Sequence, residues 1–295
     1  MRELAESVLR GLGTGSVYAL LALGFVIIYK ATRVISFAQP AFMLAGAVLV
    51  TYLAKPLGFF AALAIAALVT GALALGVERL AVRPMVGRPV FTVAIITLGI
   101  DVTVRVVVNA FIGLSERQVG DPWGLSTITL PGGVLIERRH IAMLVTTAVL
   151  IAVLFAFFRY SRMGLAMRAA AYDQEAALAQ GVSVGAVFAL SWALAGALAA
   201  VAGTFSAVGG SVNPQLWLIA LTALPVIILG GLDSLPGAVV GGLAVGVVQE
   251  LTASYQSHAE WLGGNFSIVT PYVVMFVVLL VRPYGLFGTR EVERV

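Results

Sequence analysis

The 295-residue chain has no cysteine and only two histidines, His140 and His258, which excludes disulfides and a Cys/His metal centre. It is also short of charge. Asp, Glu, Lys and Arg make up 11% of its residues, where a soluble domain carries about 25%. Lysine occurs at two positions. Lys30 follows Tyr29 and Lys55 precedes Pro56, so neither stands in the Gly-x-x-x-x-Gly-Lys-Ser/Thr loop that cradles nucleotide phosphates. The chain does not hydrolyse ATP. A net charge of +4 is spread over loops, and no basic run points to nucleic acid.

What fills the gap is hydrocarbon. Hydrophobic residues are 60% of the chain, and the mean hydropathy is +1.03. Apolar runs of roughly 18 residues or more recur, each long enough to cross a bilayer core of about 30 Å as helix. The alternation of a β-barrel is absent, and helices otherwise satisfy their backbone in lipid. The sequence predicts an all-α, polytopic membrane protein, a single transmembrane domain over residues 1–295. Eight or nine spans are expected, at about 8–29, 36–54, 57–80, 90–112, 140–158, 184–208, 216–231, 235–253 and 266–282. The second and seventh are short enough to be broken or re-entrant. The first apolar run has no small-residue cleavage site and exceeds a signal-peptide core, so it reads as a retained helix.

Cations sort by loop. Lys30, Arg33, Arg79, Arg83, Arg88, Arg159, Arg162, Arg168, Arg282, Arg290 and Arg294 fall on one set, against Arg2, Arg10, Lys55, Arg117, Arg138 and Arg139 on the other. The positive-inside rule then places the N-terminus outside and the C-terminus in the cytoplasm. The loop at about 113–139 is external, and the loop at about 159–183 is cytoplasmic.

That cytoplasmic loop, "MGLAMRAAAYDQEAALAQGVS", interrupts the greasy chain with a polar, alanine-rich helix. Asp173 is placed to cap it, Glu175 lies in its first turn, Gly181 can end it left-handed, and Ser183 can cap the next span. Arg168, Tyr172 and Glu175 stand at i, i+4 and i+7, on one face. A mere connector and a docking helix for a cytoplasmic partner both fit this composition.

Here a family resemblance enters. "GLAMRAAAYDQEAALAQGVSVGAVFALSWALAGALAAVAG" resembles the cytoplasmic loop and following helix of the branched-chain amino acid ABC transporter permeases, the shorter of the two permease types. "GLGTGSVYALLALGFVIIYKATRVISFAQPAFMLAG", "ALPVIILGGLDSLPGAVVGGLAVGVVQ" and "VRPYGLFG" resemble its N-terminal, late and C-terminal segments, in the right order. The resemblance implies that 164–181 is a coupling helix fitting an ATPase groove, with Gly164, Arg168, Ala169, Asp173, Ala176 and Gly181 matching the pattern. It implies two cytoplasmic ATPase subunits carrying ATP and Mg, with no cofactor in this chain. It also implies a second homologous permease or a copy of itself, an extracytoplasmic substrate-binding protein, and a place in the bacterial inner membrane. One departure stands out: the family's His-Gly after "FA" is Gln39–Pro40 here, which removes an ionisable group and stiffens the turn.

Within the spans, Asp101 and Arg105 lie one helical turn apart, with Asn109 continuing the stripe. They form either a self-neutralised packing lock or part of a translocation path; a paired carboxylate stays ionised, which disfavours a proton relay. Small-residue spacings such as Gly196/Ala200 and Ala195/Ala199/Gly203 suit close helix packing. Gly230, Gly231 and Gly237, flanked by Pro225 and Pro236, break a span and are expected, with Gln39 and Pro40, to line the path by backbone. Trp123 and Trp217 suit an interfacial aromatic belt, and 26–50 faintly resembles 226–248. Two other classes compete. An ion-coupled secondary transporter would want unpaired intramembrane carboxylates, for which Asp101 and Glu250 are the candidates. A membrane-embedded enzyme would want a catalytic set, and no Ser/His/Asp group or acid pair sits within a span. The solute is not legible, because a separate binding protein largely sets it.

Overall fold

The computed structural model describes residues 2–85, 87–112, 117–124, 126–130, 133–256 and 265–289, so His258, Arg290 and Arg294 lie outside the described residues. In chain order the elements are α1 (Arg2–Thr32), α2 (Gln39–Leu57), α3 (Phe59–Val77), α4 (Val90–Ile112), β1 (Arg117–Gln118), β2 (Thr127–Leu130), β3 (Val134–Glu137) and α5 (Arg138–Tyr160). There follow α6 (Arg162–Tyr172), α7 (Gln174–Ala179), α8 (Val184–Ala207), β4 (Ser211–Val212), α9 (Leu218–Leu221), α10 (Ala223–Gly230), α11 (Leu235–Tyr255) and α12 (Phe266–Val281). Among the described residues, 7 helices are long and apolar enough to cross a membrane, and Leu218–Gly230 and Phe266–Val281 are shorter apolar helices. Each expected span therefore has its helix.

The expected starts of the first two spans shift, the first to Arg2 from 8. The second span starts at Gln39, not 36, because residues 33–38 run as non-helical chain and Pro40 fits only the first turn of a helix. The all-α expectation holds for the spans, and the loop at 113–139 adds the short strands β1, β2 and β3. β2 and β3 form an antiparallel hairpin, and β1 pairs with β4 across the bundle.

Lipid gives apolar helices no hydrophobic reason to associate, so contact between backbones must hold them. The glycines provide it. A methyl on Gly11 would lie 2.6 Å from Val247 Cα, and one on Gly15 2.8 Å from the Gly242 carbonyl, so α1 and α11 cross backbone to backbone. α8 touches α3 in the same way, with Gly196 on Thr70 and Gly71 on Ala193, and touches α2 where Gly46 meets Ala200 and Gly203 meets Met43. The small-residue spacing on α8 is thus a packing device. Polar clasps flank the α1–α11 crossing: Tyr18 donates to Gln249 at 2.8 Å, and Arg10 pairs with Glu250 at 3.4 Å.

The faint likeness of 26–50 to 226–248 is not the repeat that the packing displays. α1 lies against α8 and α11, while α8 lies against α1 and α3. α2 follows α1 across a break and packs on α8; α10 follows α8 across a break and packs on α1. Both breaks contain an amide residue followed by a proline: Gln39–Pro40 opens α2, and Asn213–Pro214 lies in the turn four residues ahead of α9.

Two faces result. On one, Lys30 reaches the Asp233 carbonyl, Arg33 the Ala171 carbonyl and Arg83 the Gly185 carbonyl. On the other, Glu6 accepts from the Leu135 amide, Tyr52 donates to the Phe111 carbonyl, and β1 joins β4. This is the same division into two sets of loops that the sequence suggested.

The crossing can be tested. Overpacking a tight site costs about 1–3 kcal/mol. Gly246 abuts Gly15, whereas nothing lies within 4 Å of a methyl at Gly76. Gly246→Val should therefore lower the thermal midpoint of the detergent-solubilised protein markedly, and Gly76→Ala should leave it unchanged or raise it.

Candidate functional site

α4 carries a charged pair into the bundle. Most of its surface is exposed and apolar, yet Asp101 is 4% exposed. One turn of helix brings Arg105 back over it, with Nη2 2.6 Å and Nε 2.8 Å from Oδ2. The two partners are then held by different elements. The Phe37 amide donates to Thr97 Oγ1 at 3.0 Å, and one turn further along α4 the Asp101 carboxylate lies beside the Ala41 amide, its Oδ1 buried and without a hydrogen-bond partner among the described residues. Ala41 belongs to the first turn of α2, whose amides have no partner within the helix and favour an anion. Arg105 in turn lies over the ring of Trp217, 3.9 Å from its centroid, just ahead of α9. Cation–π contacts of this kind contribute ~0.5–2 kcal/mol. The Asp101–Arg105 pair therefore bridges the ends of both broken segments.

The first of these ends lies deep. Gln39 is fully buried, and a methyl at Gly24 would strike its amide. Gly24 is eight residues inside the end of α1, about 12 Å along the helix axis. Neither Oε1 nor Nε2 of Gln39 has a hydrogen-bond partner among the described residues, and Asn109 Oδ1 on α4 is likewise buried and unpartnered. Of the expected path residues, Gln39, Pro40, Asp101 and Arg105 come together around the start of α2, with Asn109 two turns along. Trp217 and Ala41 were not anticipated. The aromatic-belt reading of Trp217 gives way to its contact with Arg105. Trp123 packs with Phe59, Phe60 and Phe205 instead.

Gly230, Gly231 and Gly237 lie elsewhere. Gly230 and Gly237 abut each other, and Gly231, at φ 104°, would place a methyl 2.5 Å from the Gly288 amide. The Leu229 and Gly230 carbonyls accept from Leu286 and Phe287 at 2.8 and 3.1 Å. The backbone expected to be free for a solute is occupied by the C-terminal segment, for which Gly231 makes room, while Gly230 and Gly237 make room for each other.

The interrupted segment is built as two helices. Ser161 caps α6 by accepting from the Gly164 amide at 2.8 Å, and Gly164 is pressed against Phe157. Asp173, at φ −151°, ends α6 and caps α7, accepting from the Ala176 amide at 3.0 Å. Gly181, at φ 80°, ends α7, and Ser183 caps α8. The capping residues act as expected, but the single helix over 164–181 does not form. Arg168 and Tyr172 belong to α6 and Glu175 to α7, so their shared face is lost. Two tethers fix the break: Arg33 donates to the Ala171 carbonyl at 3.0 Å and Gln174 to the Ala31 carbonyl at 2.9 Å. Gly164, Met167, Ala170 and Ala177 face inward. Arg168, Ala169, Tyr172, Glu175 and Ala176 remain exposed, together with Leu165 and Leu178.

Comparison with known proteins decides the family. Residues 7–281 match the family described as branched-chain amino acid transport system / permease component. The chain belongs to that family. It is 30% identical, over 98% of its length and 97% of theirs, to the high-affinity branched-chain amino acid transport system permease proteins LivH of Salmonella typhimurium and BraD of Pseudomonas aeruginosa. A probable permease of Methanocaldococcus jannaschii is 29% identical, over 91% of this chain and 88% of its own. In fold it is similar to PsaBC from Streptococcus pneumoniae in complex with Fab, with a TM-score of 0.51 and 15% identity over 93% and 91% of the two chains.

The chain is thus a membrane-spanning permease subunit of an ABC importer, a transport component and not an enzyme. Such a permease works with ATPase and binding-protein partners, and its place is the bacterial cytoplasmic membrane. The secondary-transporter and enzyme readings fall away.

In this permease the Asp101–Arg105 pair should behave as one unit. Removing one partner of a buried pair costs about 3–5 kcal/mol, usually more than removing both. Asp101→Ala should destabilise the protein more than Asp101→Ala/Arg105→Ala in thermal unfolding. A double variant no more stable than either single one would show that the pair is not a local unit.

Proposed function

We propose that this permease carries branched-chain amino acids, or a related small solute, into the cytoplasm from an extracytoplasmic binding protein. Two ATPase subunits, holding ATP and Mg, drive it, and it pairs with a second homologous permease or a copy of itself. The face bearing Lys30, Arg33, Arg83 and the α6–α7 segment is the cytoplasmic one, so the N-terminus lies outside and the C-terminus inside. The cation count of the loops supports this orientation.

One observation carries the coupling role. Leu165, Tyr172 and Leu178 are 60, 93 and 56% exposed on a polar, well-capped segment that is tied to α1 yet held out from the bundle. Large apolar groups left in water on a rigid support mark an interaction surface. Arg168 and Glu175 flank them with opposite charges. An ATPase groove closing over residues 162–179 would pull on the end of α1 through Arg33 and Gln174. The path reading rests on the deep end of α2, where Gln39, Pro40, Asp101, Arg105 and Asn109 gather at a span interruption. Besides that pair, small side chains and backbone would touch the solute weakly, as suits a permease fed by a binding protein.

Anchors of this type lose at least about 2 kcal/mol on truncation, roughly a thirtyfold change in affinity. Tyr172→Ala/Leu178→Ala should leave the permease inserted but reduce co-purification of the ATPases and solute-stimulated ATP hydrolysis. Wild-type hydrolysis in that variant would sink the assignment. Uptake by the reconstituted complex, with leucine and with an amide as competing solutes, tests the substrate class.

A further inference from the structure

The chain beyond α3 does something the membrane span does not require. Instead of ending, it runs on through a π-helical turn, Glu78–Val82, and a 3-10 turn, Arg83–Met85. π turns are rare and cluster at functional sites. In an α-helix the residue that returns over position i is i+4. The i→i+5 spacing of a π turn returns residue 83 over residue 78 instead. Arg83 uses this to fork onto Glu78, Nε to Oε1 and Nη2 to Oε2, both at 3.0 Å. Glu78 is fully buried and would otherwise be an uncompensated anion. The same Nη2 donates to the Gly185 carbonyl at 2.7 Å. Gly185 is the second residue of α8, directly after the cap at Ser183 that closes the α6–α7 segment. The guanidinium lies against Gly185, where a methyl would meet its Cζ at an ordinary contact distance of 3.6 Å.

We propose that Glu78, Arg83 and the Gly185 carbonyl form a clamp that makes the end of α3 move with the first turn of α8, so that displacement of the coupling segment reaches α3 as well as α1. Arg83 is a positioning residue, acting through the helices it joins. The proposal rests on the reading of residues 162–179 as the ATPase contact. The chemistry suits the task. A bidentate Arg–carboxylate pair fixes direction as well as distance, which a lysine cannot reproduce.

The absence of cysteine permits a clean test by pulsed EPR. Spin labels at Leu80→Cys, on the π turn, and Ala179→Cys, at the end of α7, report the separation of the two elements. In the assembled complex the clamp predicts one narrow distance distribution, the same with and without ATP. Arg83→Ala should broaden it, and solute taken up per ATP hydrolysed should fall about tenfold, the scale of a typical coupling free energy, with ATPase co-purification retained. Arg83→Lys should give an intermediate loss, and it carries the test if Arg83→Ala fails to accumulate. A wild-type distance that changes on ATP binding, or a normal uptake-to-hydrolysis ratio in both variants, overturns the clamp. The label distances in permease without ATPases, narrow for wild type and broad for Arg83→Ala, test the clamp even if the ATPase contact lies elsewhere.

Discussion

Everything in this molecule depends on how closely α1 can approach its neighbours. In lipid the gain from burying one apolar helix against another is small, and what remains is the contact of backbones with no side chain between them. Gly11, Gly15, Gly242 and Gly246 supply that contact between α1 and α11. Gly46, Gly71, Gly196 and Gly203 supply it around α8. Two helices held this tightly form a frame. Only against such a frame can α2 and α9 begin part-way through the bundle, because a helix start in hydrocarbon exposes amides that nothing in lipid can satisfy.

The frame also explains why α1 serves three sites. Its last residues hold the coupling segment through Ala31 and Arg33, and Lys30 holds the turn ahead of α11. A few turns earlier its Gly24 makes room for Gln39. Its N-terminal half is fixed on α11. A rigid rod with one end tied to the cytoplasmic segment and its middle pressed against the deep end of α2 gives a short mechanical route between them. The links on that route are side-chain hydrogen bonds onto backbone carbonyls, Arg33 to Ala171 and Gln174 to Ala31, and the close contact of Gly24 with the Gln39 amide.

Much of this was legible in the sequence, and the parts that were not have a common cause. Span existence, the two-sided sorting of loops and the caps at Asp173, Gly181 and Ser183 are local properties, written in hydropathy, charge and turn chemistry. The family was legible because four segments carry its pattern in order. At Asp173 the cap itself was legible; what was not is that the residues before it form a separate helix, because the family pattern ran 164–181 together as one coupling helix. Gly230 and Gly231 were misassigned for a different reason. A free-looking backbone in sequence is free only until another segment arrives, and residues 285–288 lie more than fifty positions away. The contact of Arg105 with Trp217 is equally long-range. The paired amide–proline steps were the available signal: the one at 39–40 opens a helix, and the one at 213–214 begins the turn that leads into α9.

The character of the Asp101–Arg105 pair follows from where its two ends are held. A carboxylate against a helix start and a guanidinium against an indole each have a second source of stabilisation, so neither depends wholly on the other. That matters in a protein whose broken elements must shift against each other. An isolated ion pair in low dielectric would resist separation by many kcal/mol. Asp101 and Arg105 ride on one helix, α4, so the pair stays closed when α2 and α9 shift, and only its outer contacts with the start of α2 and with Trp217 have to change. The net charge of the site stays zero throughout, so a zwitterionic or neutral solute would meet dipoles instead of a fixed charge that could trap it.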